Sequence, residues 1–268
     1  MFAEANSARI DHFEAKIWSA ISRKEEDVFP PEDKLVLHAR RDVKAFPFLE
    51  DIATWAENSY GFKFGNLRPA MQMNQQEYDM LTTVEEIPML FQKLEKAGRE
   101  NVLADMKSVG YSLTSIEVLT RVSDVLLSVQ ETDLDKKIPH FKLSQGMFRT
   151  LAVIIYLEYL ISRKRPATVV IDDFGEGLDF ARSTKLAELV FQKCEKHGVQ
   201  LVVTSNDSFL MDVVDLKYWN VLRRKGKVVS GLNWKNNQAL FEDFRFTGLS
   251  NFDFFSSNFV AQKSLEPA

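Results

Sequence analysis

Cysteine is almost absent from these 268 residues, Cys194 being the single one. That excludes a disulfide framework and a multi-cysteine zinc site, and it suits a reducing cytoplasm. Long apolar runs are absent too. The longest extends from Leu151 to Leu157 and stops at Glu158, far short of the about 20 residues that a membrane-crossing helix needs. An excess of positive charge is also missing. The chain has 34 Lys and Arg against 38 Asp and Glu, a formal net charge of -4. A generally basic nucleic-acid coat is therefore excluded. The local clusters Arg40-Arg41, Arg163-Lys164-Arg165 and Arg223-Arg224-Lys225 with Lys227 are explained by solvated turns, and direct DNA contact is left only to them. His12, His38, His140 and His197 are too dispersed for a metal triad. Glu4, Asp11 and Glu14 do not suit a signal peptide.

Apolar patterning divides the chain. The first two fifths read as helices between loops. One is predicted over 9–23, with Ile10, Phe13, Ile17, Trp18 and Ile21 on one face, and one over 42–58 with an irregular start at Pro47. Two more are predicted over 84–97 and 115–130, the latter from the helical spacing of Ile116, Leu119, Val122, Leu126 and Val129. Lys34 to Ala39 alternates as a strand would, and Gly61 to Met73 reads as loop. Near Pro139 the character changes. Met147 to Ser162 is an almost wholly apolar helix. The strand-like runs 168–171 and 200–204 flank a helix over 182–196, and strands over 218–222 and 227–229 follow. Buried strands alternating with helices predict an α/β layer with a parallel sheet. The expected organisation is a mostly helical lobe or arm over 1–139, an α/β lobe over 140–230, and a Phe-rich segment over 231–268. The phenylalanines of that segment serve either as core or as a docking surface.

Two short motifs carry chemistry. The run Val169-Val170-Ile171-Asp172-Asp173 delivers carboxylates at the end of an apolar strand. There, at the carboxyl edge of a parallel sheet, such groups hold Mg²⁺ in nucleotide-binding folds. Leu143-Ser144-Gln145-Gly146-Met147 opens the buried helix. Ser144 suits an N-cap, and free N–H groups with the helix dipole favour a phosphate there.

In order and spacing, these motifs and the following Gly177-Leu178-Asp179 and Ser205-Asn206-Asp207 resemble the C-terminal lobe of an ABC-type ATPase head. Heads of this kind occur in SMC-like repair proteins and in the OLD-like, AAA-type ATPases of prokaryotic antiviral defence. The resemblance covers about residues 140–230. It implies ATP and Mg²⁺ as cofactors. It also implies that Ser144, Gln145 and Gly146 form the signature motif, touching the γ-phosphate bound by an opposite head. Asp172 then stands as the Walker B carboxylate on Mg²⁺, and Asp179 lies in the loop that crosses the dimer. Asp173 stands where the family has a catalytic glutamate, one methylene longer. Asn206 stands where it has a switch histidine, and Glu176 is a substitute base. Both replacements point to slow turnover or to a switch driven by binding.

One element of that family is missing: no G-x-x-x-x-G-K-[ST] occurs in the sequence. Without it there is no cradle of N–H groups and no lysine for the β- and γ-phosphates. Three explanations stay open: a separate polypeptide carrying the Walker A segment, a split, cleaved or truncated gene product, and a degenerate head kept as a scaffold. The reading that follows is the Walker B and signature part of a split ATPase. It would form a homo- or hetero-oligomer with a Walker A-bearing partner and switch an effector protein. The alternative is a non-catalytic module that assembles partners.

Overall fold

In a computed structural model of the chain, the described residues are 15–28, 42–67, 86–120, 125–205, 207–245 and 247–256. The chain divides into two compact units, residues 1–60 with 166–168, and residues 61–165 with 169–268.

In the first unit, β1 (Ala15–Ser19) and β2 (Lys24–Val28) form an antiparallel hairpin with Ile17 opposite Glu26. This replaces the helix expected over 9–23, of which Ile10 and Phe13 lie outside the described residues. Ile17 is 8% exposed while its neighbour Trp18 is 54% exposed, so the two point to opposite faces, as strand geometry requires. The strand expected over 34–39 also lies outside the described residues. Helix α1 (Pro47–Glu57) begins with its proline in the first turn, where the missing N–H is not needed. It packs Leu49 beside Phe46, Ala45 and Ile17. Phe48, Ile52 and Trp55 stay exposed along its outer face, so the apolar residues at 52 and 55 do not mark the buried side.

The second unit carries the α/β layer. Strand β3 (Ser59–Lys63) leads towards it, and helices α2 (Glu86–Lys93) and α3 (Lys96–Val109) follow. Gly110 ends α3 in the left-handed region at φ 110°, a conformation that suits glycine. Next come β4 (Leu113–Thr120), β5 (Val125–Glu131) and β6 (Ile138–Pro139), paired antiparallel. The helix predicted over 115–130 is thus two strands. The pairs Leu119–Leu126 and Ile116–Val129 face each other across the ladder, so residues symmetric about a reversal had mimicked helical spacing. Before residue 139 the described chain holds about as much strand as helix, and the expected mostly helical character is corrected accordingly.

The remaining elements are α4 (Gln145–Ser162), β7 (Ala167–Asp172), α5 (Phe180–His197), β8 (Val199–Val203), α6 (Ser208–Val213), β9 (Asn220–Lys225), β10 (Val228–Asn233), α7 (Gln238–Arg245) and α8 (Asn251–Ser256). Strands β3, β7 and β8 form a parallel sheet with β7 in the centre. Phe62, Val169, Ile171 and Leu201 of the sheet meet Val153, Tyr156 and Leu157 of α4 and Val190 and Cys194 of α5. The apolar run 151–157 is buried there, as its composition demands. Lys193 of α5 donates to Glu158 of α4 at 2.8 Å and also to Asp105 of α3, clamping three helices with one ammonium. Val170 and Val202, 39% and 46% exposed, lie on the sheet's other face.

Beyond the sheet, β9 and β10 pair antiparallel. Phe241, Phe244 and Phe254 are core, packed with Leu216 and Val221 and flanked by Trp219 and Trp234. Among the described residues no helix is long and apolar enough to cross a membrane.

Burial pushes the Cys194 thiol up to about 12. Only about 10⁻⁴ of it is thiolate at pH 8, and the thiolate is the reactive form. We expect maleimide to leave the native chain unlabelled at pH 8 and to label one site per chain in denaturant. Rapid native labelling would show that this helix–sheet interface opens.

Candidate functional site

Strand β7 ends in Asp172, and its neighbour β8 brings Thr204 alongside. The Thr204 N–H donates to the Ile171 carbonyl at 3.0 Å, and the Phe174 N–H donates to the Thr204 carbonyl at 2.9 Å. The Thr204 hydroxyl donates to Asp172 Oδ1 and accepts from the Asp173 N–H at 3.0 Å. One hydroxyl thereby orients both acidic residues.

Asp173 sits at φ 53°, a left-handed conformation uncommon for a residue with a Cβ. Its carboxylate leaves the strand direction and meets Lys63 Nζ at 2.8 Å. That ion pair holds the Lys63 ammonium above the ordinary lysine range, with weaker support from the charges of Asp172 and Glu176.

The loop after Asp173 turns on two glycines. Gly175 at φ 87° leaves no room for a Cβ, which would meet Ser183 Oγ at 2.7 Å. Gly177 at φ 79° lies against Arg149, whose Nη1 stands 2.5 Å from where a Cβ would be. Arg149 is the one cation in the largely apolar helix α4, and it is 5% exposed. Its guanidinium donates to the carbonyls of Gly65 and Glu176 at 2.6 Å each, to that of Leu67 at 3.3 Å, and to Gln145 Oε1 at 3.5 Å. The Glu176 side chain extends over Gly65, where a Cβ would collide with its Oε2 at 1.9 Å.

Ser144 caps α4, its hydroxyl accepting from the Met147 N–H at 3.3 Å. Asp179 caps α5, accepting from the Arg182 N–H at 3.0 Å and pairing with the Arg182 guanidinium at 2.7 Å. The backbone bond from Arg182 holds the Asp179 carboxyl below the usual carboxylate range, and the guanidinium adds to this. Gly146 packs on the same loop, since a Cβ would meet Leu178 Cδ2 at 3.1 Å and the Gly177 carbonyl at 3.4 Å.

The expected site residues therefore fall into two groups. Asp173 pairs with Lys63 and is tied to Asp172 through Thr204, while the Glu176 side chain lies over Gly65. Gln145 and Gly146 reach the 176–178 loop through Arg149 and by direct packing. The hydrogen bonds of Ser144 and Asp179 stay within their own helix ends. Asn206 lies outside the described residues. Lys63, Thr204 and Arg149 were not anticipated. A cation alone in an apolar helix is a readable signal for Arg149, and a hydroxyl ending the strand beside β7 is one for Thr204. Lys63 had no such signal, because its partner is distant in sequence.

Among the described residues no cluster of three or more His, Cys, Asp or Glu forms a ready-made metal cage. The donors at Asp172 and Thr204 are hard oxygens. They suit Mg²⁺, which keeps several waters and takes one or two carboxylates together with substrate phosphates.

Residues 11–212 match the family described as "AAA domain, putative AbiEii toxin, Type IV TA system". The chain belongs to that family. Membership in this AAA-type ATPase family implies nucleotide binding, typically with Mg²⁺. None of the curated proteins matches the sequence. Among solved structures, the chain is similar to an SMC ATPase studied for ATP-driven dimerisation and DNA-stimulated activation (16% identity, TM-score 0.42, covering 59% of this chain and 97% of that one). It is also similar to the Smc head with an extended coiled coil, bound to the C-terminal domain of ScpA, from Pyrococcus furiosus (15% identity, TM-score 0.42, covering 56% and 38%). A third is cbiO1 of Clostridium perfringens, part of an ABC transporter complex (18% identity, TM-score 0.39, covering 83% and 71%). The family match alone carries the assignment. It ends within α6, so the β9–β10 hairpin and the Phe core lie outside the matched span.

Arg149 makes a stability test of this architecture. In Arg149→Met the carbonyls of Gly65, Leu67 and Glu176 lose their donor, at about 1–3 kcal/mol for each group left unpaired. We expect a loss of at least about 3 kcal/mol in denaturant unfolding. Arg149→Lys should recover only part of it, because an ammonium lacks the planar fork. A Met variant as stable as the parent would show that the fork is dispensable.

Proposed function

We propose that this chain is the Walker B and signature-bearing part of a split ABC-type ATPase, acting together with a chain or segment that carries Walker A. The observation that carries this reading is the convergence of Asp172, Asp173 and Thr204 at the carboxyl edge of the parallel sheet. That convergence stands in a chain whose sequence holds no phosphate-cradling Gly-rich loop with its lysine.

Asp172 and the Thr204 hydroxyl would hold Mg²⁺, which when bound would neutralise phosphate charge. Thr204 aims Asp172, and Asp173, freed from Lys63, would accept a proton from an attacking water. Glu176 is the second candidate for that role. Ser144, Gln145 and Gly146 open a helix whose N-terminus favours phosphate oxygens, and Asp179 begins the next helix on the same loop. ATP-driven association of two such heads would then switch an effector, in a setting such as antiviral defence.

Two surfaces support a partner. Parallel sheets are ordinarily covered on both faces, yet Val170 and Val202 are exposed on one face of this sheet. Phe48, Ile52 and Trp55 form an exposed apolar stripe on α1, at the spacing by which helices engage grooves.

One observation favours a second reading, a non-catalytic scaffold. Ser144 and Asp179 use their oxygens as helix caps and Asp173 is ion-paired, so these three motif residues each have a structural role.

Co-purification of the chain with its native neighbours separates the two. We expect a companion carrying a Walker A loop, a complex that hydrolyses ATP with Mg²⁺, and a loss of about 10²-fold or more in Asp172→Ala, the scale of removing a group that stabilises transition-state charge. Unchanged hydrolysis in Asp172→Ala would sink the site assignment. A folded chain that isolates alone and ignores ATP would leave the scaffold.

A further inference from the structure

The Lys63–Asp173 pair is built differently from an ordinary surface ion pair. Lys63 is the last residue of β3, and Asp173 directly follows β7, the strand beside it. The residue that follows each of the two is a phenylalanine. Phe64 and Phe174 are 0% and 1% exposed, and their rings meet at 5.4 Å. Both backbones are therefore pinned immediately beside the pair. The Thr204 hydroxyl accepts the Asp173 N–H, which adds a third anchor. An exposed ion pair is ordinarily weak because two long side chains must be immobilised. Here the backbone at both ends is fixed by the fold, so only the two side chains remain to be ordered, and Asp172 stands one residue from the pair.

We propose that Lys63, held on Asp173 beside Asp172, is a built-in counter-ion of the nucleotide-free site and competes with the divalent cation that Asp172 would bind. A divalent ion alone must displace the ammonium. A triphosphate arriving with the ion offers Lys63 new anionic partners, so metal and nucleotide load together while metal alone binds poorly. Lys63 thereby regulates the same site. The proposal rests on the reading of Asp172 as the metal-binding carboxylate.

The test is Mn²⁺ binding to the full chain without nucleotide, followed by electron paramagnetic resonance of the free ion. Four proteins are compared: the parent, Lys63→Met, Lys63→Arg, and Lys63→Met with Asp172→Asn. The Lys63 side chain is 46% exposed, so its replacement should leave the fold intact, which circular dichroism would check. We expect Lys63→Met to bind Mn²⁺ about tenfold more tightly than the parent, as removal of one facing positive charge implies. Lys63→Arg should stay as weak as the parent, and the double variant should lose the gain. If Lys63→Met binds no more tightly while binding still depends on Asp172, the counter-ion role is overturned and the metal site stands. If the binding in Lys63→Met is absent or indifferent to Asp172→Asn, the metal assignment falls and the proposal falls with it.

Discussion

The candidate site depends on one guanidinium. A charged group nine-tenths removed from water needs strong partners, and Arg149 finds them in the backbone carbonyls of Gly65, Leu67 and Glu176 rather than in a carboxylate. Those carbonyls belong to the chain just after β3 and just after β7, where strands have ended and backbone acceptors need donors from elsewhere. A planar fork can satisfy several at fixed angles. Lysine would offer a compact point charge and methionine nothing. The glycines follow from the same geometry, since Gly177 is where the fork arrives and Gly65 is where Glu176 lies.

With the loop fixed, the electrostatics follow. The carboxyl edge of the sheet carries Asp172 and Asp173, with Glu176 on the loop that follows, and Lys63 pairs with Asp173, which leaves a local excess of negative charge in a chain whose net charge is only -4. Asp173 supplies part of this by strain, its φ of 53° turning the carboxylate out of the strand direction. Such a conformation costs on the order of 1–3 kcal/mol and persists only where its surroundings impose it. Thr204 and the Phe64–Phe174 contact are those surroundings. The excess charge suits a cation, and the hard oxygens select its class.

The second half of the chain was legible because its signals were local. An apolar run bounded by polar residues has to be buried, so α4, β7, α5 and β8 fall where composition places them, within a few residues. The Ser144 cap was readable in the same way. The earlier half misled because period alone does not distinguish a helix from a hairpin that reverses midway. Ile116, Leu119, Leu126 and Val129 meet as cross-strand pairs, and the β-branched and Thr-rich content of 113–120 was the better guide. At the site, Asp172 and Asp173 were visible as a strand end. The Lys63–Asp173 pair joins residues far apart in sequence, and only the adjacency of β3 and β7 brings them together. Arg149 carried a signal that was not used, the one cation of a buried helix, and its partners carried none, because carbonyls have no residue signature.

The distribution of apolar surface bears on how the chain is used. Of the residues suspected as a docking surface, Phe241, Phe244 and Phe254 are all but fully buried in a closed core with Leu216 and Val221. They have no area left to offer a partner, and the docking reading for them fails on burial alone. The apolar surface that remains is elsewhere. It includes Val170 and Val202 on one face of the parallel sheet, and, in the first unit, Phe48, Ile52 and Trp55 on α1. Scattered exposed apolar residues are ordinary. Valines in the two strands that carry the acidic site are less so, because a parallel sheet gains its stability from burial on both sides. A covering layer on that face would bury those valines and would also lower the dielectric around Asp172 and Asp173, strengthening every charge interaction there. Under the split-head proposal, one association would then both complete the packing on that face and strengthen the electrostatics of the acidic edge.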